Sequence, residues 1–368
     1  MCYTLNGGNM NLSNTVNTIL MVGVTFIISL ISVPIAKKIA NHVGALDIPN
    51  ERKVHKKPMP RMGGLAIYFA FLIGYILFGE ISVKMISVLI GSFIILITGI
   101  IDDIKPIDAK VKLVGQILAA LVVVFYGNII LKDISAFGLY LEFGIFAYPV
   151  TVLFIVACIN CVNLIDGLDG LAAGISSIFF LTIGIITFIK GEFGLPYELT
   201  FILLGASLGF LAHNFYPASI FMGDSGSMFL GFIIAVITLL GFKNVMMSSI
   251  RFKNSGRKVE RRTSFILLAK SAIFFAIIRR SLKGESISKP DKFHIHHQLL
   301  KRNFSQRTTV LIIYAINILF STASIVYVLK NRELGYIIYG LLLIIVVTFI
   351  MKTNVVVEHK RVDNNEKK

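Results

Sequence analysis

Long apolar runs follow one another along almost the whole chain and are separated by short polar segments. A run of about 17–25 apolar residues is long enough to cross a bilayer as a helix. The pattern therefore predicts an all-α fold, a polytopic transmembrane helical bundle of about eleven spans. The predicted spans are Thr18–Ala36, Gly64–Phe78, Met85–Ile101, Leu113–Tyr126, Phe146–Ile159, Leu171–Ile189, Thr200–Phe215, Met228–Phe242, Phe265–Ile278, Val310–Leu329 and Tyr336–Met351.

The distribution of Lys and Arg predicts the orientation. Met1–Asn17 contains no Lys or Arg, whereas Lys37 and Lys38 follow the first apolar run, so the positive-inside rule places the N-terminus outside. An odd number of spans then leaves the C-terminus in the cytoplasm. We expect an extracellular segment 1–17, an integral membrane domain 18–351 and a charged cytoplasmic tail 352–368. All polar motifs then fall on the cytoplasmic face, which predicts one composite site there.

Composition changes this picture little. The 36 Lys and Arg outnumber the 20 Asp and Glu, but the basic residues lie between hydrophobic runs, so we expect membrane orientation rather than nucleic-acid binding. One basic stretch, 251–262, disagrees, because eleven spans would place it outside. Cys158 and Cys161 form a C-x-x-C on an apolar segment, and we interpret them as small apolar residues rather than a redox pair.

The polar run Asn160–Gly170 directly follows an apolar run. Its amides and carboxylates recur at every third position: Asn160, Asn163, Asp166 and Asp169. On a helix this spacing keeps them near one face. Ionisable groups at the end of a membrane segment are costly unless they face a cavity or a ligand, so the run indicates a functional site. A polar cap followed by a glycine turn is the alternative.

Asp102 and Asp103 lie at the end of another predicted span. Adjacent side chains on a helix diverge by about 100°, so the two carboxylates suit separate roles. One of them suits a hard cation such as Mg²⁺, and the other a nucleophile or a second ligand. The alternative is a solvated capping pair. Lys112 and Gln116 lie four residues apart at the start of the next span, where a lysine can meet a phosphate as a point charge.

Three further segments carry candidate chemistry. Phe221–Ser227 begins a span with small residues whose free N–H groups suit an anion, while Asp224 suits a metal or a nucleoside hydroxyl. The histidines of 294–297 lie among Lys and Arg without a neighbouring Cys, which favours an anion or diphosphate clamp over zinc or a structural loop. Lys53–Gly64, which includes Arg61, either closes over a charged substrate or anchors the membrane interface.

Together these motifs resemble the polyprenyl-phosphate N-acetylhexosamine-1-phosphate transferase family, from about Lys53 to Leu300. The motifs that carry the resemblance are Pro60–Gly64, Asp102–Asp103 with Lys112, Asn160–Leu171, Gly223–Ser227 and His294–His297. The Asp-Ser-Gly-Ser form and the His-Ile-His-His-Gln-Leu-Leu loop are similar to the branch that uses UDP-N-acetylglucosamine, particularly to enzymes that begin teichoic acid. Phospho-MurNAc-pentapeptide transfer in peptidoglycan synthesis is the alternative substrate, and a transporter is the alternative of a different class.

The resemblance implies a glycosyl-1-phosphate transferase in the bacterial plasma membrane, with its active site on the cytoplasmic face. The implied partners and cofactors are undecaprenyl phosphate, UDP-N-acetylglucosamine, the lipid bilayer, a second copy in a homodimer, and Mg²⁺ with Mn²⁺ as a substitute. The implied catalytic residues are Asp102, Asp103, Asp166 and Asp169. The implied substrate-binding residues are Lys112, Asn160, Asn163, Arg61, Arg280, His294, His296 and His297. The implied metal ligands are Asp102, Asp103 and Asp224.

One stretch departs from the family pattern. Ahead of a basic pair such as Arg279–Arg280, the family usually has a Pro-x-x-Asp sequence, whereas this chain reads Ala269–Ala272 without an acid. The same stretch follows the basic segment that disagrees with the predicted orientation. We therefore interpret 251–272 as a locally altered segment within a chain that otherwise resembles this family.

Overall fold

The structure, a computed structural model, describes residues 12–49, 58–136, 139–253, 304–329 and 332–352. These residues form ten α-helices joined mostly by short connections. The helices are α1 (Leu12–Val43), α2 (Gly64–Phe78), α3 (Val83–Ile104), α4 (Ala109–Leu121), α5 (Ala147–Ile165), α6 (Leu171–Lys190), α7 (Leu195–Asn214), α8 (Gly223–Lys253), α9 (Gln306–Leu329) and α10 (Arg332–Lys352). A π-helical turn, Val122–Tyr126, continues α4, and a 3₁₀ turn, Gly144–Phe146, precedes α5.

The predicted all-α, multi-pass membrane architecture is confirmed. In the described ranges, eight helical segments are long and apolar enough to cross a membrane, and shorter apolar helices cover Gly64–Phe78 and Glu333–Ile345. Ten predicted spans each coincide with one described helix, whereas Phe265–Ile278 lies outside the described residues. The total of eleven spans and the orientation stay predictions.

Several helices extend beyond their predicted spans. The first begins at Leu12, inside the segment that was expected to precede the membrane domain, and α8 continues to Lys253 although its apolar window ends at Gly241. Hydropathy marks only the apolar part of a helix, and backbone hydrogen bonding continues into the polar flanks. Residues 254–272 of the atypical segment lie outside the described residues.

Local sequence explains where two of the helices that reach the site begin. The hydroxyl of Ser82 accepts a hydrogen bond from Met85 N at 3.2 Å and caps α3. The carboxylate of Asp108 accepts one from Lys110 N at 2.9 Å and caps α4. Such caps satisfy backbone donors that the first helical turn leaves unpaired. The two caps therefore fix the starting points of α3 and α4.

The core is centred on α8. Within its apolar window 94% of residues are buried, against 28% for α9, so α8 is surrounded by the other helices while α9 lies at the periphery. Helix α8 packs against α2, α3 and α5. Phe229 on α8 makes tilted and edge-on ring contacts with Phe71 and Tyr68 on α2. The start of α8 is thus held from several sides.

Close backbone approach joins α1 to α7. A Cβ added at Gly205 would lie 2.1 Å from Thr25 Oγ1, and one added at Gly209 would lie 2.3 Å from Phe26 O. Small residues at such spacing let membrane helices pack backbone to backbone. This contact holds α1 against α7, which in turn packs against α2 and α6.

Two short antiparallel strand pairs interrupt the helical pattern, and the apolar periodicity predicted neither. Strands β1 (Leu46–Asp47) and β2 (Met59–Pro60) lie between α1 and α2. Strands β3 (Asp133–Ala136) and β4 (Leu139–Glu142) lie between the π-helical turn and α5. The first pair directly precedes Arg61, so it positions that residue at the end of the bundle where the polar motifs meet.

Candidate active site

Two cations and three carboxylates meet where α3 ends and α4 and α8 begin. Lys112 Nζ lies 2.8 Å from Asp102 Oδ2 and 2.6 Å from Asp224 Oδ2. Arg61 Nη2 lies 3.2 Å from Asp103 Oδ1 and 3.7 Å from Asp224 Oδ1. Side chains separated by more than a hundred residues in the sequence therefore form one ionic cluster. The structure thus brings five of the predicted site residues together, and their roles stay predictions.

Asp102 faces α4 and the loop before it. Its Oδ1 accepts a hydrogen bond from Ile107 N at 2.9 Å, while Oδ2 pairs with Lys112. The side chain is 5% exposed. Asp102 is therefore a buried carboxylate with one oxygen bonded to the backbone and the other paired with the Lys112 ammonium.

Asp103 faces α8 instead. Its Oδ1 accepts hydrogen bonds from Asp224 N at 2.8 Å and Arg61 Nε at 3.2 Å, and its Oδ2 accepts from Ser225 N at 3.1 Å and Ser225 Oγ at 2.6 Å. The side chain is 0% exposed. A carboxylate at a helix N-terminus pairs with free N–H groups and with the helix dipole. The anion that the sequence predicted for this helix start is thus, in this structure, the side chain of Asp103.

A backbone ladder holds the segment before α8 against the segment before α2. Gly63 N donates to Phe221 O at 3.0 Å, Gly64 N donates to Met222 O at 2.9 Å, and Phe221 N donates to Pro60 O at 2.8 Å. Side chains are excluded here, because a Cβ on Gly64 would lie 2.2 Å from the backbone nitrogen of Gly226. This ladder explains why Arg61 reaches the carboxylates from a loop.

Arg61 pairs with a fourth carboxylate, Asp47, on β1 at 3.8 Å. Burial alone would lower the pKa of Arg61, but the charges of Asp103, Asp224, Asp47 and Asp102 outweigh it and raise that pKa above its ordinary value. Arg61 is thus a fixed positive charge at the centre of the cluster.

The two asparagines of the Asn160–Gly170 run connect helices. Asn160 Nδ2 donates to Gln116 Oε1 at 2.7 Å and to Val156 O at 2.8 Å, and Asn160 Oδ1 accepts from Gln116 Nε2 at 3.3 Å. Asn163 Nδ2 donates to Ser227 Oγ at 2.9 Å. The first pair joins α4 to α5, and the second joins α5 to the start of α8.

The two aspartates of this run lie beyond the helix. Because α5 ends at Ile165, Asp166 and Asp169 do not continue the helical face that their spacing predicted, and Gly170 follows with a φ of +75°. Asp169 Oδ2 accepts a hydrogen bond from Ala218 N at 3.0 Å and ties this turn to the loop after α7. The asparagines of the run therefore join helices, whereas Asp169 joins the turn after α5 to the loop after α7.

Asp166 differs from the other aspartates, because no other described residue hydrogen-bonds or ion-pairs with its carboxylate. Burial, together with the negative charges of Asp224 and Asp103, raises the pKa of Asp166 to about 8. The Asp166 carboxyl is therefore largely protonated at neutral pH unless a bound cation compensates for its negative charge.

Comparison with known proteins identifies the family. The profile described as glycosyl transferase family 4 matches residues 85–242. A Bacillus subtilis (strain 168) protein named "Probable undecaprenyl-phosphate N-acetylglucosaminyl 1-phosphate transferase" is 41% identical over 333 residues, which cover 88% of this chain and 89% of the relative. The chain belongs to glycosyl transferase family 4. The matched residues include the α3, α4 and α8 parts of the ionic cluster and the α5 asparagines beside it.

Two more distant relatives agree with this assignment. A Mycobacterium tuberculosis (strain ATCC 25618 / H37Rv) protein named "Decaprenyl-phosphate N-acetylglucosaminephosphotransferase" is 32% identical, with coverage of 76% of this chain and 74% of the relative. A Haemophilus influenzae protein named "Undecaprenyl-phosphate alpha-N-acetylglucosaminyl 1-phosphate transferase" is 30% identical, with coverage of 83% and 86%. The family predicted from the motifs, the polyprenyl-phosphate N-acetylhexosamine-1-phosphate transferases, is confirmed.

Four of the substrate-binding residues predicted from the sequence lie outside the described residues: Arg280, His294, His296 and His297. Their role as a diphosphate clamp stays a prediction.

The structure also adds residues that the sequence did not single out. Asp47 precedes the basic stretch that leads to Arg61, and the sequence pattern gave no signal that the two residues pair. Asn214, at the end of α7, accepts from Gly170 N at 3.1 Å and donates to Ile220 O at 2.8 Å. An asparagine at the end of an apolar span could have indicated it. Tyr314 on α9 donates to Gly170 O.

The charge balance of the site fits a divalent cation. When ionised, five carboxylates face two cations, which leaves an excess of three negative charges. The carboxylates are Asp47, Asp102, Asp103, Asp166 and Asp224, and the cations are Arg61 and Lys112. The described residues contain no group of three His, Cys, Asp or Glu side chains already arranged around a metal position. Oxygen donors of this kind nevertheless suit Mg²⁺, which keeps waters and binds through one or two carboxylates.

Proposed function

We propose that this protein transfers N-acetylglucosamine 1-phosphate from UDP-N-acetylglucosamine to undecaprenyl phosphate. The products are undecaprenyl-diphosphate-N-acetylglucosamine and UMP. An oxygen of the lipid phosphate forms a bond to the β-phosphorus of the sugar nucleotide, the bond between the β-phosphorus and the oxygen of the α-phosphate breaks, and UMP leaves. One diphosphate linkage replaces another, so no further energy source is required.

The observation that carries this proposal is the ionic cluster at the end of an apolar helical bundle. Lipid phosphate lies at the membrane surface while its chain lies in the bilayer, so a transferase for it needs cations beside a lipid-accessible surface. The cluster meets this need, because Lys112 lies on α4 beside exposed apolar residues such as Val111 and Val114. The names of the relatives support the same chemistry.

Lys112 and Arg61 have the roles of charge neutralisation and positioning. In phosphoryl transfer the protein contributes mainly alignment and electrostatic stabilisation rather than covalent chemistry. Lys112 has an extendable side chain held by two carboxylates at 2.8 and 2.6 Å, so it can turn from them to a phosphate oxygen. Arg61 is held by backbone contacts and by Asp103, and it keeps a positive charge at the centre of the ionic cluster. Asp102 remains available to orient the attacking phosphate.

Asp224 and Asp166 would hold a divalent cation, Mg²⁺ or in its place Mn²⁺, with Asp102 nearby. Asp224 lies at the start of α8, and Asp166 is the carboxylate without a described bonding partner. A cation bound there would supply Lewis-acid polarisation of the diphosphate. Asp103 fits this role less well, because four hydrogen-bond donors already occupy its oxygens.

The finer setting of the reaction belongs to the same proposal and rests on the positive-inside rule and on the resemblance of the sequence motifs. We place the active site on the cytoplasmic face of the bacterial plasma membrane. We propose that the product is the first lipid-linked intermediate of a cell-wall or surface glycan such as teichoic acid. Phospho-MurNAc-pentapeptide transfer is the alternative within the same chemistry. Family membership disfavours the transporter that the sequence also allowed.

The donor test uses purified protein in detergent with undecaprenyl phosphate and Mg²⁺. UDP-N-acetylglucosamine and UDP-MurNAc-pentapeptide are supplied separately, and UMP release is measured for the wild type and for Asp102→Asn. We expect UMP from the first donor only, and its loss in the variant. Release of UMP from the pentapeptide donor alone would replace the proposed substrate, and equal rates in the variant would remove Asp102 from the mechanism.

A further inference from the structure

A buried pair of amides lies one helical turn from Lys112. Gln116 is 2% exposed, and its side chain makes two reciprocal hydrogen bonds with Asn160, at 2.7 and 3.3 Å. Gln116 Nε2 also lies 3.5 Å from Met228 Sδ on α8. The pair therefore joins α4, α5 and α8 at one level of the bundle.

Both amide groups have their hydrogen-bonding capacity largely filled by protein. Asn160 uses both amide hydrogens, one on Gln116 Oε1 and one on Val156 O, and its oxygen accepts from Gln116. An amide saturated in this way has little left to offer a substrate. The sequence indicated substrate binding for Asn160, whereas its contacts favour a link between helices.

The link lies on the inward-facing side of α4. One side of α4 is exposed, at Val111, Val114 and Leu118, so neighbouring helices hold it from the other side only. Gln116 lies four residues after Lys112 and shares its face of the helix. Lys112 must reach Asp102 on α3 and Asp224 on α8 at the same time. A small rotation or slide of α4 would lengthen both of these contacts.

We propose that Gln116 and Asn160 are a positioning pair that holds α4 at the register in which Lys112 reaches the reacting phosphates. Neither residue touches substrate, and both act through Lys112. Reciprocal amide bonds suit this task, because a buried amide that loses its partner is costly, so alternative registers of α4 are disfavoured. This inference rests on the proposed transferase function and adds two residues to it.

The first test compares Gln116→Ala in two backgrounds, the wild type and Lys112→Ala. Because a displacement of about 1 Å can cost a hundredfold in rate, we expect kcat to fall on the order of 10- to 100-fold in the wild type, with the KM for the sugar nucleotide changed less than about threefold. In the Lys112→Ala background the same substitution should cost less than about twofold, since the residue it positions is gone. An equal loss in both backgrounds would contradict the proposal.

The second test needs no turnover. Lys112 is labelled with an amine-reactive acetylating reagent and quantified by mass spectrometry, with the exposed Lys110 of the same helix as the internal standard. We expect Lys112 to be labelled at least about threefold faster in Gln116→Ala and Asn160→Ala, because a displaced α4 releases it from two carboxylates. Unchanged labelling in both variants would overturn the proposal even if the protein proved to have another activity.

Thr151→Val is the matched control for a general loss of packing. Thr151 is buried on the same helix as Asn160 and accepts from Leu131 N at 2.9 Å, but it lies at the opposite end of α5. We expect this variant to lower the melting temperature without changing kcat or the labelling of Lys112. Faster labelling in this control would show that any weakening of α5 frees the lysine, which would contradict a specific role for the amide pair.

Discussion

At the scale of single residues, neighbouring aspartates have different surroundings and therefore different expected roles. Asp102 has one oxygen on Ile107 N and one on Lys112, whereas Asp103 is enclosed by Arg61 and by the second and third residues of α8. Their helical spacing predicted this divergence, but not which carboxylate faces which helix. The contacts of Asp103 indicate support of α8, and we propose the catalytic role for Asp102, whose Oδ2 lies on Lys112.

Matched substitutions of the two aspartates should separate these roles. Asp103→Asn leaves one acceptor oxygen for four donors, and it removes the negative charge that pairs with Arg61. We therefore expect the free energy of unfolding to fall by about 3 kcal/mol. Asp102→Asn should abolish most UMP release with a smaller loss of stability, because Ile107 N keeps an acceptor. Thermal unfolding in detergent and UMP assays measure both. A lower melting temperature for Asp102→Asn than for Asp103→Asn would contradict this assignment.

Asp166 should lower the stability of the protein when no cation is bound. Its folded-state pKa of about 8 lies above its ordinary value of 3.8, so the folded state binds the proton more tightly, and stability falls as the pH rises between these values. We expect Asp166→Asn to raise the melting temperature measured in chelator, on the order of 2 °C or more at pH 8 and less at pH 5. The variant should also lose transferase activity. A melting temperature that falls at both pH values would contradict this prediction.

At the scale of helices, the contact between α2 and the start of α8 depends on glycine. A Cβ on Gly64 would lie 2.2 Å from Gly226 N, and backbone atoms cannot yield as a flexible side chain can. We expect Gly64→Ala to separate the two segments and to cost more than about 2 kcal/mol of stability together with most activity. The melting temperature and UMP release measure these effects.

Gly23→Ala on α1 is the control for Gly64→Ala, because nothing lies within 4 Å of the added Cβ. The intrinsic preference of helices for alanine should leave this variant as stable as the wild type or more stable, by up to about 1 kcal/mol. A loss for Gly23→Ala equal to that for Gly64→Ala would show that the cost arises from something other than the α2–α8 contact.

Helix positions could be predicted from the sequence, but contacts between helices could not. An apolar run predicts a membrane-spanning helix without any knowledge of what packs against it, and ten predicted spans coincide with described helices. By contrast, the role of Asp103 as a cap depends on α8, which begins 120 residues later, and the exit of Asp166 and Asp169 from α5 depends on where that helix ends. Local pattern carries no information about such tertiary partners.

At the scale of the whole molecule, the polar ends of successive helices converge at one end of an apolar bundle. The starts of α4 and α8 meet the end of α3, and the end of α5 meets the start of α8 through Asn163 and Ser227. The ionic cluster therefore belongs to the bundle as a whole rather than to one motif. Its excess negative charge is the property that a bound cation would change.

Cation binding should therefore stabilise the whole bundle. We expect Mg²⁺ to raise the melting temperature of the wild type in a concentration-dependent manner, because a ligand that binds only the folded state stabilises it by mass action. Mn²⁺ should act similarly, and Asp224→Asn should greatly reduce both shifts. Equal shifts in the wild type and in Asp224→Asn would place the cation elsewhere.

The most direct test of the central claim follows the β-phosphorus. Purified protein is incubated with undecaprenyl phosphate, Mg²⁺ and UDP-N-acetylglucosamine labelled with ³²P at the β-phosphate, and the aqueous and lipid fractions are separated. Transfer of the sugar 1-phosphate predicts that the label enters the lipid fraction in equal amount to the unlabelled UMP formed in water, and that Lys112→Ala slows this transfer strongly without abolishing it. Label that remains in water as UDP while the sugar enters the lipid, or that remains in unreacted donor, would contradict the account.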